Sequence, residues 1–126
     1  MLSQGQECIL FKASSGDLTA LVRHADGSAR LLHSAVDPAA EAELIPLPDI
    51  WGDVVLCLGT GLGYHLRKMP EKAEKARMLI LCDLWPHLVD HAAHWISASH
   101  YTVIPVPLMD QKRTTGAISR IRRILD

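Results

Sequence analysis

The stretch that most constrains this chain is Val54-Val55-Leu56-Cys57-Leu58-Gly59-Thr60-Gly61-Leu62-Gly63-Tyr64-His65. An apolar run containing β-branched residues meets three glycines at alternate positions, and a helix-like pattern follows. That order suits a strand of an α/β sheet that turns sharply into a helix. Glycines permit the turn and the close approach of another group. Free amides and the dipole at the start of a following helix would favour an anion.

The flanking sequence extends this pattern. Strands are expected at residues 54–58, 78–82 and 101–106, and helices at 62–69, 86–98 and 115–125. A charged linker is expected from Glu71 to Arg77. Such β-α alternation implies right-handed crossovers and a parallel sheet, with the strand at 54–58 away from the sheet edge. Residues 7–13, 18–24 and 29–33 read instead as short antiparallel strands. Ser14-Ser15-Gly16-Asp17 and Ala25-Asp26-Gly27-Ser28 supply the turns between them. Asp37-Pro38 opens a short helix, with Glu41 in its first turn. The expected fold is therefore α/β: a small antiparallel N-terminal sheet followed by a partial Rossmann-like β-α-β-α-β unit. We expect one domain over residues 1–126, divided at 36/37, packed side by side or as one continuing sheet.

Composition narrows the class. The chain has 126 residues, 48% of them hydrophobic, with a formal net charge of -1. That is globular composition, with no general electrostatic case for a nucleic-acid partner. No apolar run is long enough to cross a bilayer, and the first residues do not read as a signal peptide. Cys8, Cys57 and Cys82 are odd in number and lack metal-ligand spacing, which fits reduced thiols and a cytoplasmic setting.

Three nucleotide-binding patterns compete for the glycines. The dinucleotide pattern G-x-G-x-x-G fails, because Tyr64 stands where its third glycine belongs. A phosphate-binding P-loop fails for want of Gly-Lys-Ser/Thr. The alternate spacing of Gly59, Gly61 and Gly63 resembles the loop of S-adenosylmethionine-dependent methyltransferases. Asp83, at the end of the next strand, stands where that family holds ribose hydroxyls. Cys57 replaces the acid usual two residues before the first glycine.

A second resemblance covers roughly residues 32–96. His33, Ser34, Asp37, Pro38, Glu41 and Ala42 form a His-Ser-x-x-Asp-Pro-x-x-Glu-Ala motif some twenty residues before Gly61-Leu62-Gly63-Tyr64-His65. This pairing resembles the N-terminal region of the motility-accessory-factor (Maf) flagellin glycosyltransferases and the wider 6-hydroxymethylpterin pyrophosphokinase-like group. Val36 departs where an aromatic is common, and Asp83-Leu84 where Glu-Pro is commoner. The resemblance implies a bacterial, non-catalytic N-terminal module of a longer protein, whose central domain transfers an activated nonulosonic sugar to flagellin hydroxyls. Its partners would be the rest of the parent chain, a second copy, or flagellin through the parent.

Candidate cofactor-binding residues are Gly59, Gly61, Gly63, Tyr64, His65 and Asp83. No catalytic residue and no metal ligand are assigned. No cofactor is expected under the Maf-like reading, whereas S-adenosylmethionine or another nucleotide belongs to the methyltransferase-like alternative. Tyr64 and His65 suit ligand contact or packing alike, and His33 and Ser34 suit a turn network that caps the first helix. His87, His91 and His94 share a helical face, read as solvated beside Asp90 and Ser97 because Leu88, Val89, Ala92, Trp95 and Ile96 are expected to face the sheet. The helix holding Arg120, Arg122 and Arg123 should lay Ile118, Ile121, Ile124 and Leu125 on the sheet, with its arginines in water.

Overall fold

The structure, a computed structural model, describes residues 5–49, 52–96 and 101–126. It is a mixed α/β protein with two separate three-stranded sheets, one antiparallel and one parallel. The chain forms two compact units, Met1–Pro46 and Leu47–Asp126.

In the first unit, β1 (Glu7–Lys12), β2 (Leu18–Arg23) and β3 (Ala29–Leu31) form a meander in sequence order. Each turn follows from its residues. The Ala13 amide donates to the Asp17 carbonyl at 2.8 Å across the first, where Gly16 has φ 93°. In the second, the Asp26 carboxylate accepts from the Ser28 amide and hydroxyl, which also lowers the Asp26 pKa. Ala20, Val22 and Thr19 are buried, and the Thr19 hydroxyl donates to the His33 carbonyl.

Helix α1 (Pro38–Glu43) belongs to this unit, so the boundary lies ten residues beyond the expected 36/37 division. Backbone bonds from Ser14 to Ala35 and from Ser15 to Val36 tie its approach to the β1–β2 turn. The His-Ser-x-x-Asp-Pro-x-x-Glu motif acts as a helix cap. Asp37 accepts from the Ala40 amide at 3.0 Å, and Ser34 Oγ accepts from the amides of Val36 and Asp37. Glu41 reaches back to the Ser34 amide at 2.9 Å.

The second unit is the expected parallel sheet, in the order β4 (Val54–Leu58), β5 (Met78–Asp83), β6 (Thr102–Pro107). Its odd-numbered strand residues, including Val55, Leu79 and Leu81, pack with Leu66, Met69, Val89, Ala92 and Ile96. These come from a 3-10 turn (Tyr64–Leu66), α2 (Met69–Lys72) and the residues of α3 (Pro86–Trp95) and its C-cap. The even-numbered residues Met78, Ile80, Cys82, Ile104 and Val106 pack under Ala117, Ile121 and Ile124 of α4 (Gln111–Leu125).

Several expectations need correction. Among the described residues β5 is the one neighbour of β4 in the sheet, so β4 is an edge strand there. The expected helix at 62–69 is replaced by the single 3-10 turn and the four residues of α2. Pro70 explains the break: it lacks an N–H, restricts the residue before it, and serves instead as a helix start. α4 begins at Gln111, not near Thr115, because Asp110 caps it by accepting from the Arg113 amide. Weak helix formers at Thr114, Thr115 and Gly116 hide that first turn in the sequence. The expected end of α3 at Ala98, and Ser97 with it, lie outside the described residues. No helix among the described residues is long and apolar enough to cross a membrane.

Candidate functional site

The glycine loop leaves the carboxyl end of β4 beside the end of β5. Gly59, Gly61 and Gly63 have φ of 75°, 53° and 90°. The Gly59 amide donates to the Cys82 carbonyl at 2.8 Å, extending the ladder by one bond. Gly63 is required by packing as well as by conformation. A Cβ there would lie 2.7 Å from Ala92 Cα, so the loop rests directly on the α3 backbone. At Gly59 a Cβ would meet nothing within 4 Å.

Asp83 lies beside these glycines, as the strand spacing predicts, and its carboxylate is engaged in the loop itself. Oδ2 accepts from the Gly61 amide at 2.7 Å and from the Thr60 hydroxyl at 3.4 Å. Oδ1 accepts from the Leu84 amide at 2.7 Å. Charge-assisted bonds as short as those from the two amides are the strong ones, whereas the buried Thr60 hydroxyl also lies 3.2 Å from the Gly61 carbonyl and divides its one proton between the two acceptors. An incoming phosphate would meet a carboxylate already seated on the Gly61 amide, and like charges repel. Asp83 thus has the position expected for a ribose-binding acid but acts first as a clasp between β4 and β5.

Tyr64 does not border an open mouth. Its side chain is 4% exposed, with its ring centroid 5.9 Å from that of Trp95. His65 is half-buried, and burial pushes its pKa down. Cys57 Sγ is likewise desolvated and its pKa raised, so the thiol stays neutral where the methyltransferase pattern needs an anion. Cys82 shifts upward for the same reason, with Asp83 adding to it.

Sequence reasoning missed an aromatic-basic cluster next to the loop. Trp95 is 40% exposed and does not face the sheet as expected. Arg67 stacks its guanidinium 5.5 Å from the Trp95 ring centroid and 5.7 Å from that of Tyr64. His91 is not on a solvated face. Its Nδ1 lies 3.1 Å from both the Leu62 carbonyl and Trp95 Nε1. One neutral nitrogen cannot serve both as acceptor for the indole and as donor to the carbonyl, so its tautomer selects one bond. The i,i+4 spacing of His91 and Trp95 was the available signal. His87, Asp90 and His94 are exposed. Asp90 forms a paired contact with Arg113 at 2.9 and 2.7 Å, which lowers its pKa and joins α3 to α4.

Among the described residues, no group of three or more His, Cys, Asp or Glu side chains is placed to hold a metal ion. No protein-family model, curated protein or solved structure matches the chain.

Proposed function

We propose that this chain is a non-catalytic, Rossmann-like N-terminal domain of a Maf-type protein glycosyltransferase, acting as an accessory or interaction module in the cytoplasm. Its partners are the rest of the parent chain and, through the parent, flagellin. The observation that carries the non-catalytic reading is the Asp83 clasp. The acid and the loop amide that would define a nucleotide site bind each other. The turn after the loop adds to this, because one 3-10 turn and a four-residue helix supply little dipole for an anion. The capping residues Ser34, Asp37 and Glu41, paired with Gly61–His65, support the family assignment.

The second reading is a small-molecule binder related to S-adenosylmethionine-dependent methyltransferases. It is favoured by Asp83 standing beside the glycines and by the open space over Gly59. Calorimetric titration with S-adenosylmethionine and S-adenosylhomocysteine separates the two. The module reading expects no heat of binding. Low-micromolar affinity, about -8 kcal/mol, lost in Gly61→Val, would establish the alternative.

A further inference from the structure

The His91 imidazole on α3 is shared between two partners that ask opposite things of one nitrogen. Nδ1 lies 3.1 Å from the Leu62 carbonyl, an acceptor, and 3.1 Å from Trp95 Nε1, a donor. A bare Nδ1 accepts from the indole and offers the carbonyl nothing. A protonated Nδ1 donates to the carbonyl and has no lone pair for the indole. In the neutral ring the tautomer decides between them. In the imidazolium both nitrogens carry protons, so the Leu62 bond is the one that survives.

The two partners differ in how easily each can yield. Leu62 is buried, and the next residue, Gly63, rests on Ala92 of α3, so its carbonyl is held in place. Trp95 is the last residue of α3 and 40% exposed, so its N–H turns to water when it loses its acceptor. Its ring also touches Tyr64 and Arg67, but those two stay joined without it. Arg67 Nε donates to the Tyr64 carbonyl at 3.2 Å, and its guanidinium lies 5.7 Å from the Tyr64 ring centroid. The titratable and charged side chains on the elements packed against His91 sharpen the choice. On the 3-10 turn and its C-cap these are Tyr64, His65 and Arg67, on β5 Asp83, and on α3 itself His87, Asp90 and His94. Asp90 is paired with Arg113, and Asp83 with the Gly61 and Leu84 amides, so both carboxylates are committed elsewhere. Burial favours the neutral form of His65. Arg67 already covers the Trp95 ring, and an imidazolium beside the same ring adds a second cation there.

We propose that His91 is a proton-operated switch at the junction of α3 and the glycine loop. With the imidazole neutral, Nδ1 holds the Trp95 indole. With the imidazole protonated, Nδ1 grips the Leu62 carbonyl and releases the indole N–H to solvent. Hydrogen bonds alone change hands, and the proton is the ligand that shifts the population from one arrangement to the other. Acid therefore fastens the loop to α3 by a charge-assisted bond and presents an indole donor beside Arg67. The switch uses no ligand of the glycine loop, so it holds under either reading of the function.

The test is an NMR titration of the whole chain from about pH 8 to about pH 5. It follows the Trp95 indole N–H, assigned by its loss in Trp95→Phe, together with the imidazole nitrogen shifts of His91. The proposal expects Nδ1 to pass from a bare acceptor to a protonated nitrogen as the pH falls. At the same midpoint the indole proton moves toward the position of a solvated indole. Its protection against exchange, relative to the intrinsic rate at each pH, drops at least about tenfold. His91→Gln offers an amide that does not titrate and leaves His65, His87 and His94 in place, so the indole response should vanish in it. An Nδ1 already protonated at the alkaline end would overturn the proposal, because the Leu62 bond would then be permanent. So would an indole N–H that does not respond to pH, or one that responds equally in His91→Gln. The wild-type nitrogen shifts and indole response decide the matter even where that variant does not fold, and the β5 amides report that the sheet stays intact throughout.

Discussion

The glycine loop and the β4 strand that leads into it are contiguous in sequence but opposite in character. The loop resembles a ligand site, and it is closed by its own residues: Asp83 sits on the Gly61 amide, and Gly63 rests on Ala92. The strand reads as ordinary buried sheet, and it is the open part, with Leu58 mostly in water. Gly-rich turns therefore need not signal a ligand, because the same backbone freedom serves helix-to-loop contact. Apolar runs, conversely, do not reveal whether both faces are covered.

Substitutions should separate the closed region from the open one. The largest effect is expected at Gly63→Val, where a Cβ would meet backbone of α3 in a left-handed conformation. A loss of about 3 kcal/mol or more in unfolding free energy is expected from clash and strain together, read by denaturant melts. Asp83→Ala should follow at about 2 kcal/mol, since it leaves the Gly61 and Leu84 amides without their charged acceptor. Gly59→Ala should cost about 1 kcal/mol, from its positive φ alone, because open space surrounds it. Leu58→Thr should change stability by no more than about 0.5 kcal/mol. A Leu58→Thr loss as large as that of Gly63→Val would erase the contrast.

The smallest effect is electrostatic. Asp90 is held below its ordinary pKa chiefly by hydrogen bonding to Arg113. A depressed carboxyl stabilises the fold above its unfolded pKa, and that contribution is lost as pH falls through the folded value. The pair is half-exposed, so screening limits it to about 0.5 kcal/mol. Acid titration of wild type and Asp90→Asn should converge below about pH 4, the ordinary carboxylate range, with wild type slightly more stable above it.

Much of the fold was legible because local chemistry agreed with it. Asp37-Pro38 marks a capped helix, and Asp26-Gly27-Ser28 marks a hairpin. The β-branched start of β4 and its glycines mark a strand end to the residue. The misreadings share one physical origin, which is that periodicity carries no record of neighbours. Nothing in Val54–Leu58 says that one side of the strand lacks a partner. Nothing in His87–His94 says that His91 leans onto Leu62 and Trp95 while His87 and His94 do not. Asp83 was legible as a residue near the loop. Its engagement with the Gly61 amide depends on a tertiary distance across 22 residues.

That engagement is tested most directly by amide hydrogen exchange at Gly61 and Leu84 in wild type and Asp83→Ala. The β5 amides report in each case that the sheet remains folded. Protected Gly61 and Leu84 amides are expected in wild type, with selective loss of that protection in the variant. Unchanged exchange at both positions would show that the carboxylate does not close the loop, and would contradict the account.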